Sequence, residues 1–220
     1  MTIYNCRCED ILGELPKVDL CLNDPPYEDE AHVITRRTRA TLENRQVYAD
    51  IEFEKMNSDL RSFICDVKCN WLLNFCQAEA VYLYQKLLGK KYRRPMVWIK
   101  PDSCPQFTGD RPAMGYESIV CSWQTKGKSI WNGGGKRGVY TYNGTSGRFG
   151  GHPTEKPIKL IKELIIDFSL GGIILDMFAG SCTTGRAAKD MNIKCICIEC
   201  EEKFAEIGAK RMCQEVMNFN

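Results

Sequence analysis

The fold is decided by the stretch VDLCLNDPPY at residues 18–27, in which a short apolar run leads into a carboxylate, two prolines and an aromatic ring. An apolar run bounded by turn residues is typical of a buried strand, so a strand is predicted over residues 18–22. Two consecutive prolines fix φ and remove two backbone donors, which leaves rigidly held carbonyl acceptors. The sequence therefore predicts a polar acceptor loop at residues 24–27, directly after a strand.

Apolar runs of the same kind recur along the chain, with helical patterns between them. Further strands are predicted over residues 80–84, 96–99, 118–122, 173–175 and 195–198. Helices are predicted over residues 58–75, 157–169, 184–191 and 202–216. This alternation indicates an α/β fold with a mostly parallel sheet and helices on both faces. Ligands of such sheets bind in the loops at the carboxyl ends of the strands.

The composition is that of a single globular domain spanning residues 1–220, with 44% hydrophobic and 26% charged residues. The start, MTIYNCRCEDIL, does not resemble a secretory leader, and no stretch is apolar for long enough to span a bilayer. We therefore expect a cytoplasmic protein that does not bind membranes. The net charge of +2 is small for a nucleic-acid binder, so any such role must rest on local clusters of basic residues.

The sequence contains 13 cysteines, several of them inside apolar runs such as IKCICIEC at residues 193–200. Reduced thiols in a core fit this placement better than a disulfide framework. Two pairs, Cys6 with Cys8 and Cys65 with Cys69, could be read as metal ligands. Because there is no second CxxC and the chain has only two histidines, no metal site is expected.

A second polar run, DMFAGSCTTG at residues 176–185, follows another predicted strand and opens a predicted helix. Small residues allow a ligand to approach the backbone closely, and the free amides at a helix N-terminus suit a carboxylate. Glu199 ends the next predicted strand, about 20 residues further on, the spacing at which an acid commonly binds ribose hydroxyls. Alternatively, Glu199 caps the helix that starts near Glu202.

Taken together, these runs resemble the β class of amino-methyltransferases, the permuted group in which the catalytic run precedes the cofactor run. The similar stretches are CEDILGELPKVDLCLNDPPY (8–27), PMVWIKPD (95–102), GHPTEKP (151–157), DMFAGSCTTG (176–185) and IECEEKFAEIGAKRM (198–212). The resemblance implies a circularly permuted, Rossmann-like methyltransferase fold that uses S-adenosylmethionine.

By this resemblance, the target amine is bound by Asp24, Pro25, Pro26 and Tyr27. The residues that it assigns to the cofactor are Cys8, Thr154, Lys156, Asp176, Phe178, Ala179, Gly180, Ser181, Thr183 and Glu199. Within that set, Thr154 and Lys156 are expected near the cofactor carboxylate. The alternative for Lys156 is plain solvent exposure before a helix that begins at Pro157.

The amine of a nucleobase is a poor nucleophile because its lone pair is delocalised into the ring. Asp24 and the Pro25 carbonyl can accept its hydrogens and favour a pyramidal nitrogen, while stacking on Tyr27 is worth about 1–3 kcal/mol. In this family the acid form is typical of adenine N6 methylation, and N4-cytosine enzymes more often carry serine at the position of Asp24. We therefore expect methylation of adenine N6 in DNA after base flipping. The alternatives are N4-cytosine methylation, methylation of RNA or of a protein amide, and a catalytically silent DNA-binding module.

Two residues depart from the family pattern. Cys182 stands where glycine is usual and is expected to narrow the pocket, and Arg7 replaces an acid near the expected adenine contacts. Target recognition is expected in the unmatched stretches, at about 28–60 and 110–150, where basic residues mix with Trp123, Trp131, Tyr140 and Tyr142. The alternative is a packed loop with aromatic anchors. The candidate DNA-binding residues are Arg36, Arg37, Arg39, Lys126, Lys128, Lys136, Arg137 and Arg148. The resemblance also suggests a homodimer, and the sequence leaves a paired restriction nuclease undecided.

Overall fold

The computed structural model describes residues 1–27, 56–107, 109–144 and 155–213. Within these ranges, eight strands form one sheet in the order β1-β8-β7-β2-β3-β5-β4-β6. The strands are β1 (Thr2–Asn5), β2 (Val18–Asn23), β3 (Cys69–Cys76), β4 (Tyr92–Ile99), β5 (Tyr116–Trp123), β6 (Val139–Thr141), β7 (Ile174–Asp176) and β8 (Cys195–Glu199).

The sheet is parallel except at β5, which pairs antiparallel with both β3 and β4. The other neighbouring pairs are parallel. The mostly parallel sheet predicted from the sequence is therefore confirmed. Since β5 runs the other way, its first residues lie at the edge where the parallel strands end. Hereafter this edge is called the carboxyl edge, and the opposite one the amino edge.

Helices cover both faces of the sheet. They are α1 (Cys8–Ile11), α2 (Ser58–Cys65), α3 (Val81–Leu88), α4 (Ile158–Phe168), α5 (Thr183–Asp190) and α6 (Glu202–Cys213). In α4 the buried Leu160, Ile161, Leu164 and Ile165 form one apolar stripe at helical spacing, which packs on one face of the sheet with α5. Helices α2 and α3 pack on the other face. The predicted coverage of both faces is thus confirmed.

The prediction of a helix over residues 58–75 is wrong in its second half. Helix α2 ends at Cys65, and β3 follows as a strand between β2 and β5. Strand β3 is buried on both sides, with Trp71 and Leu73 in one core cluster and Leu72 in the other. A strand covered on both faces is an almost continuous apolar run without period-2 alternation, so the sequence pattern did not separate it from the preceding helix.

The prediction of a strand over residues 80–84 is also wrong, because this stretch enters helix α3. Ala80, Tyr84 and Leu88 are buried at a spacing of four residues, whereas Tyr82 and Leu87 are exposed. The segment has apolar residues on all faces of the helix, but only those on one face pack against the core.

The stretch 110–150 is not a single insertion, because β5 and β6 lie within it and belong to the sheet. Trp123 and Tyr140 are almost fully buried, and Trp131 and Tyr142 pack against the same core. In the described part of this stretch, these four aromatic residues serve as packing anchors. They do not form an exposed recognition surface.

All 13 cysteines are free thiols and most are buried, as expected for reduced core residues. Among the described residues, no helix is both long and apolar enough to cross a membrane.

Candidate active site

The loop at residues 24–27, called the DPPY loop below, is held at the carboxyl edge by Asn23, the last residue of β2. The Asn23 side chain donates to Asn74 Oδ1 of β3 at 2.9 Å. Its Oδ1 accepts the backbone N–H of Met177, just after β7, at 3.1 Å. One fully buried amide thus links the ends of three adjacent strands and fixes the start of the DPPY loop.

A cavity of about 560 Å³ opens at this edge. Its wall combines the whole DPPY loop with the turn at residues 176–184 between β7 and α5, called the β7–α5 turn below, and with Glu199 at the end of β8. The volume lies within the roughly 300–1,000 Å³ usual for small-molecule and cofactor sites. The two polar runs, some 150 residues apart in sequence, therefore share one site.

Four charged side chains and a phenol meet beside the DPPY loop. Lys156, only 6% exposed, donates to Asp24 Oδ2 and lies 3.4 Å from Glu117 Oε2. Lys100 donates to the other oxygen of Glu117, and the Tyr27 hydroxyl donates to Glu117 Oε2 at 2.9 Å. The cluster therefore balances two carboxylates against two ammonium groups in a largely buried setting.

The local environment shifts the ionisation of these groups. Burial raises the pKa of Asp24 above its ordinary value, and the Lys156 ammonium opposes that shift. Burial alone would also raise the pKa of Glu117, but Lys156 and Lys100 overcome it and hold that pKa below its usual value. Burial would lower the pKa of Lys156, yet the two carboxylates raise it, so Lys156 remains a cation.

Two carboxylates hold the β7–α5 turn in place by accepting hydrogen bonds from backbone amides. Glu199 accepts the backbone N–H of Gly180 at 2.7 Å and that of Glu201 at 2.9 Å. Asp176 accepts the N–H of Phe178 at 3.0 Å, and burial raises the pKa of Asp176 to about 7. Glu199 therefore borders the cavity and also holds the chain just before α6. Its predicted contact with ribose hydroxyls stays a prediction.

Helix α6 anchors the other side of the turn through the buried Arg211. Its guanidinium donates to the Ser181 carbonyl at 3.1 Å and to the Thr183 hydroxyl at 3.0 Å. It also pairs with Glu155 at 2.7 Å. Because Glu155 precedes Lys156, Arg211 connects the β7–α5 turn with the segment that reaches Asp24.

Comparison with known families matches residues 18–210 to the model of a DNA methylase family, the N6/N4 methyltransferases. The matched range contains both polar runs and almost the whole sheet. The chain belongs to this DNA methylase family.

Individual proteins similar to this chain share 25–44% identity with it over the aligned residues. The type II methyltransferase M.HinfI of Haemophilus influenzae is 25% identical over 96% of the chain and 68% of that protein. M.XycI of Xanthomonas campestris pv. cyanopsidis is 30% identical over 56% of the chain, which spans 45% of that protein's length. The DNA adenine methyltransferase YhdJ of Escherichia coli (strain K12) is 44% identical over 28% of the chain and 21% of that protein.

Two solved structures share the fold of this chain. M1.HpyAVI in complex with SAM superimposes with a TM-score of 0.73 at 22% identity, over 97% of this chain and 99% of the other. The cytosine-N4-specific PvuII DNA methyltransferase superimposes with a TM-score of 0.72 at 14% identity, over 98% and 87% of the two chains. At these identities the likeness establishes the fold alone, and it agrees with the Rossmann-like methyltransferase fold expected from the sequence.

Cys182 is not part of the cavity wall, contrary to the expectation that it narrows the pocket. Its side chain is fully buried and lies next to Gly208 of α6. Its backbone is left-handed, with φ 57° and ψ 44°, which explains why glycine suits this position. For a residue with a Cβ, this conformation costs roughly 1–2 kcal/mol. Arg7 does line the cavity, where it pairs with Glu9 at 3.0 Å.

Most of the residues predicted for the site border this one cavity. They are Cys8, Asp24, Pro25, Pro26, Tyr27, Lys156, Asp176, Phe178, Ala179, Gly180, Ser181, Thr183 and Glu199. Lys156 lies against Asp24, and its burial rules out plain solvent exposure. Thr154, Arg36, Arg37, Arg39 and Arg148 lie outside the described residues.

Sequence reasoning missed Glu117 and Lys100. Lys100 directly follows a predicted strand within the quoted PMVWIKPD stretch, and this position was a usable signal. Glu117 gave no such signal, because it lies at the start of β5. That end reaches the carboxyl edge only because β5 runs antiparallel to its neighbours.

The basic residues after β5 lie away from the candidate active site. Lys126 and Lys128 follow the end of β5 at the amino edge, where Gln124 pairs with Asn70 at the start of β3. They therefore do not border the cavity. Lys136 is paired with Glu163 and Asp167 of α4, at 2.6 and 2.5 Å, so its charge is already balanced. Arg137 is exposed beside it.

Proposed function

We propose that this DNA methylase transfers a methyl group from S-adenosylmethionine to the N6 amine of adenine in DNA. The observation that carries the proposal is the shared cavity, in which Asp24 of the DPPY loop faces the same space as the β7–α5 turn. A methyl transfer needs an amine acceptor site and a donor site in contact, and the shared cavity supports this assignment of the DPPY loop and the β7–α5 turn.

The residues around the β7–α5 turn fit the parts of S-adenosylmethionine. Glu199 provides a carboxylate for the ribose hydroxyls, and Asp176 one for the methionine ammonium. Phe178 and Cys8 contribute the less polar wall suited to the adenine ring. When bound, this cofactor supplies an electrophilic methyl group carried on a sulfonium.

The DPPY loop is suited to orient the accepting amine. Asp24 and the Pro25 carbonyl accept hydrogens from the amine and direct its lone pair towards the donor side of the cavity. As the nitrogen gains the methyl group it gives up one proton, and Asp24 is placed to accept that proton and release it to solvent. The Tyr27 ring offers a surface on which an extruded base stacks.

Adenine is favoured over cytosine by the acid at position 24, the form that is typical of adenine enzymes in the β class. The similarity to YhdJ, a DNA adenine methyltransferase, also supports adenine. The PvuII enzyme, which shares the fold, is specific for cytosine N4, so N4-cytosine is the second candidate.

The proposal is tested by incubating the chain with unmodified DNA and S-adenosylmethionine labelled in the methyl group, and then identifying the labelled nucleoside. We expect N6-methyladenine. Asp24→Ala should reduce the rate by about 10²–10⁴, the contribution typical of a proton-accepting group. Asp66→Ala, which removes a carboxylate that is 91% exposed, is the matched control and should keep full activity.

The other outcomes each exclude part of the proposal. Label in N4-methylcytosine would retain the reaction and overturn the choice of base. Label that enters RNA or protein but not DNA would overturn the DNA substrate. Tight cofactor binding without any transfer would indicate a silent DNA-binding module.

A further inference from the structure

Glu117 belongs to neither polar run, yet it contacts three side chains of the site. It is the second residue of β5 and lines the cavity, with its side chain 14% exposed. Its Oε1 accepts from Lys100, and its Oε2 accepts from Tyr27 and faces Lys156. A largely buried carboxylate with this many partners restricts the orientation of each of them.

The first partner, the Tyr27 hydroxyl, has one proton and two carboxylates within reach. It lies 2.9 Å from Glu117 Oε2 and 3.5 Å from Asp24 Oδ1. The shorter contact is the stronger hydrogen bond, so the proton points to Glu117. Burial raises the pKa of Tyr27 well above its usual value, so the phenol remains a donor.

The second partner, Lys156, determines which oxygen of Asp24 is already engaged in a hydrogen bond. The ammonium donates to Asp24 Oδ2 and is held on its other side by Glu117. Asp24 therefore has Oδ2 committed to Lys156, while Glu117 draws the Tyr27 proton away from Oδ1. Both contacts of Glu117 favour the same result, an Oδ1 that can accept a new hydrogen bond.

We propose that Glu117 is a positioning residue, which holds the Tyr27 hydroxyl and the Lys156 ammonium so that Asp24 Oδ1 remains available to the amine of the target base. This inference rests on the proposed methyl transfer to a base amine. Glu117 itself does not contact the amine. It acts by keeping a competing donor off the acceptor oxygen.

The test uses Glu117→Met, which keeps the length of the side chain and removes its acceptors. The Tyr27 hydroxyl is then left with Asp24 Oδ1 as its near acceptor and competes with the amine. We expect the single-turnover rate to fall at least about tenfold, the cost of displacing one hydrogen bond to a charged group. Adding Tyr27→Phe removes the competitor and should restore the rate to that of Tyr27→Phe alone.

Glu163→Met is a matched control. Glu163 also accepts from one lysine and one tyrosine, Lys136 and Tyr142, both at 2.6 Å, but it lies on α4 away from the cavity wall. Its loss should leave the single-turnover rate unchanged. Cofactor affinity, measured by calorimetry, should stay within about twofold of wild type in all these variants, well inside the tenfold change that 1.4 kcal/mol would produce.

The pH profile gives an independent readout through Glu117→Gln, which also serves if the methionine variant does not fold. Asp24 faces Lys156, Lys100, Glu117 and Tyr27, and Asp176 lies across the cavity. Removing the negative charge of Glu117 lowers the pKa of Asp24, so the acid limb of the rate profile should move to lower pH. Loss of a carboxylate that stabilises the fold from outside this cluster would leave the limb in place.

The outcomes separate the two proposals. A wild-type chain that transfers no methyl group to DNA overturns the proposed function and this inference with it. An active wild type in which Glu117→Met is fully active, or in which Tyr27→Phe does not rescue it, overturns the inference alone. Slow transfer with rescue and a shifted acid limb establishes Glu117 as a positioning residue.

Discussion

At the scale of single residues, Asp176 is a buried acid to which the proposed function assigns the methionine ammonium of the cofactor. Its side chain is 5% exposed, and burial raises its pKa to about 7, well above the value of about 3.9 for an unfolded chain. Between these values the folded state binds more protons than the unfolded state. The stability that protonated Asp176 contributes is therefore complete below about pH 4 and is lost as the pH rises through about 7.

We predict that Asp176→Asn raises the melting temperature of the cofactor-free chain at pH 8, because it removes an ionised buried carboxylate. The gain should be roughly 3–10 °C and should shrink towards zero below pH 4. The same variant should bind S-adenosylmethionine more weakly, because it lacks the charge offered to the methionine ammonium. Thermal melts from pH 4 to 8 and calorimetry measure both effects. An Asp176→Asn variant less stable than wild type at pH 8 would contradict this account.

At the scale of elements, helix α6 is packed closely on the β7–α5 turn. A Cβ at Gly208 would lie 2.5 Å from Cys182 Sγ and 3.1 Å from Cys182 Cβ. Both residues are buried where helix and turn meet, so the sulfur has little room to move. The absence of a side chain at Gly208 and the thiol at Cys182 are therefore complementary.

We predict that Gly208→Ala destabilises the wild-type chain by about 1–3 kcal/mol through overpacking. In a Cys182→Gly background the same change should stabilise it by up to about 1 kcal/mol, because the sulfur is gone and alanine favours a helix interior. Urea unfolding of the four variants in this double-mutant cycle measures the coupling. Additive effects would mean that the helix and the turn are not in close contact.

At the scale of the whole molecule, the described residues of the candidate site lie at one edge of the sheet. The DPPY loop, the β7–α5 turn and Glu199 all lie at the carboxyl edge, whereas Lys126 and Lys128 lie at the amino edge. Any DNA whose base enters the cavity must approach the carboxyl edge. Tyr27, which lines the cavity, is the described residue that precedes the stretch containing Arg36 and Arg37.

We predict that Arg36→Ala/Arg37→Ala weakens DNA binding and reduces the slope of log K against log salt by about 0.9 for each lost phosphate contact. Lys126→Ala/Lys128→Ala removes the same charge and should leave the slope near that of wild type. Fluorescence anisotropy from 50 to about 200 mM salt, the range over which such contacts are most evident, compares the two double variants. A larger effect of the lysine pair would place DNA on the opposite edge.

Much of the fold followed from local sequence. Strands β2, β7 and β8 and helices α4, α5 and α6 lie where the sequence predicted them, because each is a short apolar run or a clear helical stripe bounded by turn residues. Strand β3 and helix α3 were not predicted. Strand β3 is buried on both faces, so its sequence shows no alternation, and helix α3 has apolar residues on its exposed side, which hide its helical period. The short strands β1 and β6 were not predicted. Each is a strand because it pairs with a neighbouring strand, and its own residues carry no clear strand pattern.

The sequence by itself determined the two polar runs that line the cavity, because both lie at strand ends that local patterns mark. Only the tertiary structure decided that Glu117, Lys100 and Lys156 surround Asp24, and that Lys126 and Lys128 do not border the site. Lys156 and Asp24 are 132 residues apart, and Glu117 reaches the cavity only because β5 runs antiparallel. Strand direction and long-range ion pairs depend on which surfaces meet when the chain folds, which no short stretch of sequence specifies.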